Sequence, residues 1–192
     1  MVKFVEVEHK FCFSDEQSLK SQEAAIMQLH PLQDYEVDVA ERYFIIDGLR
    51  NFVVRHKVDD DKQSLTLKAF ELGKDAETRM EIDIPLAQEK GDQLPAVEKF
   101  LAVFGDYEEY RLTKHLKVFN FAEAEVVLYQ AACEDREVYV MEIESCKARK
   151  KQALQHIKQF EQQLGLDASK RETRCLFELL FFPEAVSDRQ RK

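Results

Sequence analysis

The pattern that most limits what this chain can fold into is an alternation of apolar and charged residues, repeated in five separate segments. In residues 4–13 the odd positions hold Val5, Val7, Phe11 and Phe13, together with His9, while Glu6, Glu8 and Lys10 occupy even positions. A strand sends successive side chains to opposite faces, so such a segment has one greasy face and one charged face. The same alternation places Arg55 with Lys57 in FVVRHKV, and Ser64, Thr66 and Lys68 opposite Leu65 and Leu67 in SLTLKAF. It places Arg79, Glu81 and Asp83 opposite Met80, Ile82 and Ile84, and Glu142 with Glu144 opposite Met141 and Ile143.

Between these segments lie stretches with helical spacing. SDEQSLKSQEAAIMQLHP has a capping-box pattern in Ser14 and Gln17, carries Leu19, Ile26 and Leu29 near one face, and stops before Pro31. LPAVEKFLAVFG starts near Pro95, sets Val97, Phe100, Leu101 and Phe104 on one stripe, and ends at Gly105. A third helix is expected over about residues 147–164, with Leu154, Ile157 and Leu164 inward and Gly165 behind it. SKRETRCLFELLFFP is expected to form a fourth, opened by Ser169 with Glu172 and ended by Pro183. The result is an α+β chain dominated by antiparallel strands.

With 192 residues, 45% of them hydrophobic, the chain can build one sizeable core, and a single domain over residues 1–192 is expected, with a charged tail from about residue 184. The four cysteines are widely spaced without a CxxC, and the opening MVKFVEVEH has no apolar stretch of signal-peptide type, which points to reduced thiols in a cytoplasm. CLFELLFF is interrupted by Glu178 and too short to cross a bilayer, so no membrane partner is expected. A net charge of -9 disfavours nucleic acid as a partner, although a local group of Lys and Arg can still hold a small anion. No HxxxH or HExxH spacing suggests zinc, and no Gly-rich phosphate loop of either common type is present.

The charged faces admit two geometries. They can be ordinary solvated faces of antiparallel sheets. Alternatively they curl inward, a reading favoured by carboxylate pairs at i, i+2, which lie only about 6.6 Å apart along a strand and repel unless a cation or basic group sits between them. An inward arrangement would gather Lys, Arg and carboxylates in one lumen, suited to a triphosphate and divalent ions that prefer oxygen ligands.

These residues resemble the CYTH superfamily, the triphosphate tunnel metalloenzymes, which includes class IV adenylyl cyclases, thiamine triphosphatases and inorganic triphosphatases. EVEHK matches the N-terminal ExExK signature, and VRHK, LTLK, RMEID, a Lys-bearing strand and MEIE follow in the family's order. The resemblance implies an eight-stranded antiparallel β-barrel forming a charged tunnel, with helices packed outside. It implies a metal-dependent reaction on a triphosphate-containing small molecule, either hydrolysis or an adenylyl-cyclase reaction on ATP, with Mg²⁺ or Mn²⁺ as cofactor. Position by position it makes Glu6, Glu8, Glu142 and Glu144 metal ligands. Lys10, Arg55, Lys57, Lys68, Arg79 and Lys114 become phosphate contacts, and Lys10, Glu81 and Asp83 groups acting at the reaction centre. RETRCLFELL is similar to a C-terminal segment of the cyclase-like branch, with Cys175 and Leu176 where Ser and Tyr are usual.

Two positions depart from the family pattern. Leu116 follows Lys114 where an Arg is usual, and Tyr129 stands at a usual Asp. Arg111 and Lys117 lie an odd number of residues from Leu116 and so face the other way in a regular strand. A triphosphate-binding module without turnover is therefore a third expectation.

Overall fold

The computed structural model describes residues 5–49, 51–69, 78–145 and 150–184, and the side chains of all of these except 5, 6, 78 and 79. The strands are β1 (Val5–Phe13), β2 (Gln33–Ile46), β3 (Phe52–Val58), β4 (Gln63–Ala69), β5 (Thr78–Pro85), β6 (Tyr107–Asn120), β7 (Glu125–Cys133), β8 (Arg136–Glu144) and the two-residue β9 (Arg171–Glu172). The helices are α1 (Glu16–Met27), α2 (Leu94–Leu101), α3 (Lys150–Gln163) and α4 (Leu176–Phe181).

All strand pairings are antiparallel, in the order β5-β4-β3-β2-β6-β7-β8-β1-β9, and β1 also pairs with β5. The sheet thus has nine strands where eight are expected from sequence. It is not closed along its full length, because β1 divides itself between two neighbours. Its first part, Val5 to Val7, lies against Met80 to Thr78 of β5, and Glu8 to Phe13 lie against Glu144 to Tyr139 of β8. Beyond that point β9 lies against β1, pairing Lys10 with Glu172.

The apolar faces are outside, under helices. Val7 and Phe11 of β1, Val126 and Leu128 of β7 and Met141 and Ile143 of β8 pack against Leu19 and Ile26 of α1 and Ala153, Ile157 and Phe160 of α3. Val97 and Leu101 of α2 cover Phe44, Ile46 and Val54 on β2 and β3. Each fully buried aliphatic or aromatic side chain of this kind contributes roughly 1.5–3 kcal/mol, which is why the alternation is held in one register.

Several local readings are corrected. The N-cap of α1 is Asp15, which accepts the Ser18 amide, one residue beyond the Ser14 expected. In α2 only Val97 and Leu101 are buried; the helix ends at Leu101, so Phe104 falls in a following tight turn and forms an edge-on pair with Phe100 on the surface. The third helix is described from Lys150 onward, and Gly165 behind it takes φ +65, a conformation that costs a glycine little. The fourth helix is shorter than its periodicity suggests. Ser169 follows Asp167 in a short turn, residues 171–172 join the sheet as β9, and α4 opens at Cys175, whose amide donates to Glu178 at 2.7 Å. Nor does α4 lie outside: Leu176, Phe177 and Leu180 pack among Tyr43, Val53, Leu112, Tyr129 and Val140, which point into the barrel. The charged tail from residue 185 lies outside the described residues. Among the described residues no helix is long and apolar enough to cross a membrane.

Candidate functional site

The charged faces converge. A cavity of about 220 Å³ inside the barrel is lined by residues of every strand from β1 to β8, and by Cys175, Leu176 and Phe177 at one side. Seven carboxylates and five bases border it. Lys10, Glu81, Asp83, Arg55, Lys57, Lys68, Lys114, Glu8, Glu142 and Glu144 are all among its walls, as the strand parity requires. Glu6 and Arg79 are opposite one another in the β1–β5 register, but their side chains lie outside the described residues.

The charges are sorted by wall. On β2 to β6 run Lys114, Glu41, Arg55, Glu81 and Lys68, alternating in sign: Lys114 Nζ is 2.8 Å and Arg55 Nη1 3.4 Å from Glu41, Arg55 Nη2 is 2.9 Å from Glu81, and Lys68 Nζ is 2.7 Å from Glu81. Lys57 lies beside them, opposite Glu41 in register. Thr66 donates its hydroxyl to Asp83, the most open of these acids. On β7, β8 and β1 the balance reverses. Glu125 is opposite Glu144, and Glu144 is opposite Glu8, so three carboxylates stand in one row across three strands. Lys10 is the base on that wall, 3.0 Å from Glu142 and 3.4 Å from Glu8. The β2–β6 wall thus carries four bases and three carboxylates, and the β7–β8–β1 wall four carboxylates and one base.

Two of the strongest members were not identified from sequence. Glu41 is 1% exposed, and Tyr43 donates its hydroxyl to it at 2.7 Å. Burial by itself pushes the Glu41 carboxyl up, but the charges of Lys114 and Arg55, with hydrogen bonds from Lys114 and Tyr43, outweigh burial and hold it at about 2. Burial pushes the Lys114 ammonium down, against the pull of Glu41. The parity signal for Glu41 exists, since odd residues of β2 face inward, but Asp34, Glu36 and Asp38 on even positions of the same strand mask it.

The two departures from the family pattern are direct cross-strand partners: Leu116 of β6 is opposite Tyr129 of β7, and both border the cavity. Tyr129 is 2% exposed and donates to Glu142 at 2.9 Å, while Lys114 Nζ lies 5.3 Å from the centre of its ring. Burial, then the charges of Glu142 and Glu8, push the phenol well above its ordinary range, so it stays a donor. Arg111 and Lys117 face away, as parity predicts: Arg111 pairs with Glu109, and Lys117 with Glu23 and Glu36. His9 also faces away, yet it is buried: its Nδ1 lies 2.7 Å from Glu161 of α3, which Arg171 of β9 grips through two nitrogens at 2.6 and 2.5 Å.

The row of Glu8, Glu144 and Glu125, with Glu142 alongside, offers the hard oxygen donors that Mg²⁺ or Mn²⁺ prefers. The donor chemistry fits. The row is spread along the wall, and among the described residues no three such groups are gathered as a preformed metal cage.

The same architecture is found in solved structures. The chain superposes on a protein of Pyrococcus horikoshii OT3 with a TM-score of 0.73 at 18% identity, covering 91% of this chain and 99% of that one. It superposes on a Hippeastrum protein reported to have a dominant triphosphatase activity, with a TM-score of 0.57 at 14% identity over 84% and 88% of the two chains. A third is the mimivirus capping-enzyme triphosphatase, with a TM-score of 0.60 at 10% identity over 85% and 88%. No family model and no curated protein sequence matches the chain. The chain shares the fold of these structures, and its motifs resemble those of the triphosphate tunnel proteins.

Proposed function

We propose that this protein is a metal-dependent hydrolase of a small triphosphate, inorganic or organic, acting inside the barrel. The observation that carries the reading is the meeting of Lys10, Arg55, Lys57, Lys68 and Lys114 with Glu8, Glu142 and Glu144 around one cavity. The triphosphatase activity reported for two proteins of the same fold supports it.

Phosphoryl transfer needs charge neutralisation and alignment more than covalent help. Arg55, Lys68 and Lys114 would take the non-bridging oxygens of the triphosphate, and Lys57 and Arg79 would extend that wall. Lys10 would hold an oxygen from the opposite side while keeping Glu8 and Glu142 apart. Glu6, Glu8, Glu142 and Glu144, with Glu125 beside them, would hold Mg²⁺ or Mn²⁺, which supplies charge neutralisation on the phosphates when bound. Asp83 would accept a proton from a water in line with the scissile phosphorus, and Glu81, gripped by Arg55 and Lys68, would keep those two bases aimed.

A second reading is a triphosphate-binding module without turnover, favoured by the Leu116–Tyr129 pair where a charged pair is usual. Incubation with inorganic triphosphate, thiamine triphosphate or ATP and Mn²⁺, followed by phosphate release, tests the proposal. Cyclic AMP formed from ATP would reassign the protein as a cyclase, and tight binding with no product would support the module. Phosphate release unchanged by Glu8→Ala and Lys68→Ala would remove the tunnel from the reaction.

A further inference from the structure

Lys114 and Arg55 reach the same atom. Both approach Glu41 Oε1, Lys114 at 2.8 Å and Arg55 at 3.4 Å, in a part of the barrel where Glu41 is 1% exposed and the Lys114 side chain 10%. Two cations so close, shielded from water, repel each other unless an anion stands between them. A guanidinium keeps its proton under all ordinary conditions, so relief comes from the lysine losing its own.

The remaining groups facing Lys114 do not replace that anion. Tyr43 of β2 spends its hydroxyl on Glu41, Arg55 of β3 repels, and Tyr129 of β7 presents the face of its ring. Glu142 of β8 acts only from a distance, and Cys175, before α4, borders the same cavity. Among the described residues Glu41 is the carboxylate within ion-pair reach of Lys114.

We propose that Glu41 is the internal counter-charge that keeps Lys114 a cation in the dry barrel, and so makes it usable by a phosphate oxygen; Glu41 is a positioning residue and not itself a phosphate ligand. The claim deepens the triphosphate reading and rests on it for its purpose, though not for its geometry. The electrostatics agree. Burial drives the Lys114 ammonium down, with Glu41 the largest opposing influence, and Glu41, held at about 2, is an anion at every working pH.

The test is Glu41→Gln with two readouts. In the ligand-free protein, side-chain nitrogen NMR follows the titration of Lys114, assigned by its loss in Lys114→Arg. The midpoint is expected to fall by roughly two pH units or more in Glu41→Gln, toward the range of buried lysines without a partner. In calorimetry with inorganic triphosphate and chelated metal, Glu41→Gln should bind within about twofold of the parent at pH 6 and about tenfold or more weakly at pH 9, one pH unit being worth up to tenfold. Adding Lys114→Arg should remove that pH dependence. An unmoved Lys114 midpoint overturns the proposal, as does tighter binding by Glu41→Gln at both pH values, the mark of a mere rival anion. If the parent binds no triphosphate, the functional reading fails, while the titration still decides the role of Glu41. Should Glu41→Gln not fold, Glu41→Asp retracts the charge without removing it, and its Lys114 midpoint must then lie below the parent's.

Discussion

Replacing Tyr129 by Asp, alone and together with Leu116→Arg, tests the register on which the site depends. Tyr129 is 2% exposed and donates to Glu142 at 2.9 Å, and hydrogen bonds to charged groups contribute about 1.5–3 kcal/mol. Tyr129→Asp loses that bond, leaves a void where the ring stood, and sets a third anion beside Glu142 and Glu8, whose charges already act on this position. A loss on the order of 3–5 kcal/mol is expected, a large part of the 5–15 kcal/mol of a typical domain. Leu116→Arg alone puts a guanidinium two residues from Lys114 on the same face and should cost about 1–3 kcal/mol. Together the changes place opposite charges on directly facing positions, with Cβ atoms roughly 5 Å apart. The double variant should therefore be about 2 kcal/mol more stable than the sum of the single changes predicts. Urea unfolding of the four proteins measures this coupling, and phosphate release from triphosphate with Mn²⁺ measures its effect on the site. An added guanidinium on the phosphate wall is expected to raise turnover by about tenfold or more. Strictly additive stabilities, with turnover no higher in the double variant, would show that Leu116 and Tyr129 do not meet.

Acid denaturation should report Glu41. Its depressed carboxyl contributes stability that is complete above about pH 4.3 and lost as pH falls through about 2, on the order of 3 kcal/mol, so Glu41→Gln should flatten the acid limb of a stability–pH curve measured by urea unfolding. Glu8→Ala and Lys68→Ala should each lower phosphate release by about 10²–10³ with little loss of melting temperature, and chelation of divalent ions should abolish release until Mn²⁺ or Mg²⁺ is restored. Glu161→Ala strips a buried partner from both His9 and Arg171 and should destabilise the protein by about 3–5 kcal/mol in urea, since it leaves Arg171 without its carboxylate.

The inward faces of β1, β3, β4 and β5, and of β8 from Val138 onward, were legible because their charges fall on a single parity, and a strand has no other way to sort them. That Arg111 and Lys117 point away followed from the same count of residues. What escaped has a physical reason in each case. On β2, acids on even positions face water and Glu41 on an odd one faces the lumen, so composition along the strand carries no alternation to read. Glu125 opens β7 ahead of four apolar or aromatic residues and reads as a strand terminus, yet pairing with Glu144 brings it to the carboxylate wall. β9 holds only two residues, too few to show any period, and it takes its form from the edge of β1. Its formation shortens the last helix, and α4 then turns its leucines and phenylalanines into the barrel, where a greasy helical stripe alone suggests an outer layer.

The alternating chain from Lys114 to Lys68 has a consequence for how an anion enters. Each of these bases has already exchanged most of its hydration for a carboxylate neighbour while the chain folded, so an arriving phosphoryl oxygen need not strip water from a free ammonium or guanidinium. It only has to share donors that are already dry and aimed. On the triphosphate reading, recognition would be a change of partners within a fixed lattice of charge, and selectivity would lie in which guests can complete that lattice without tearing it.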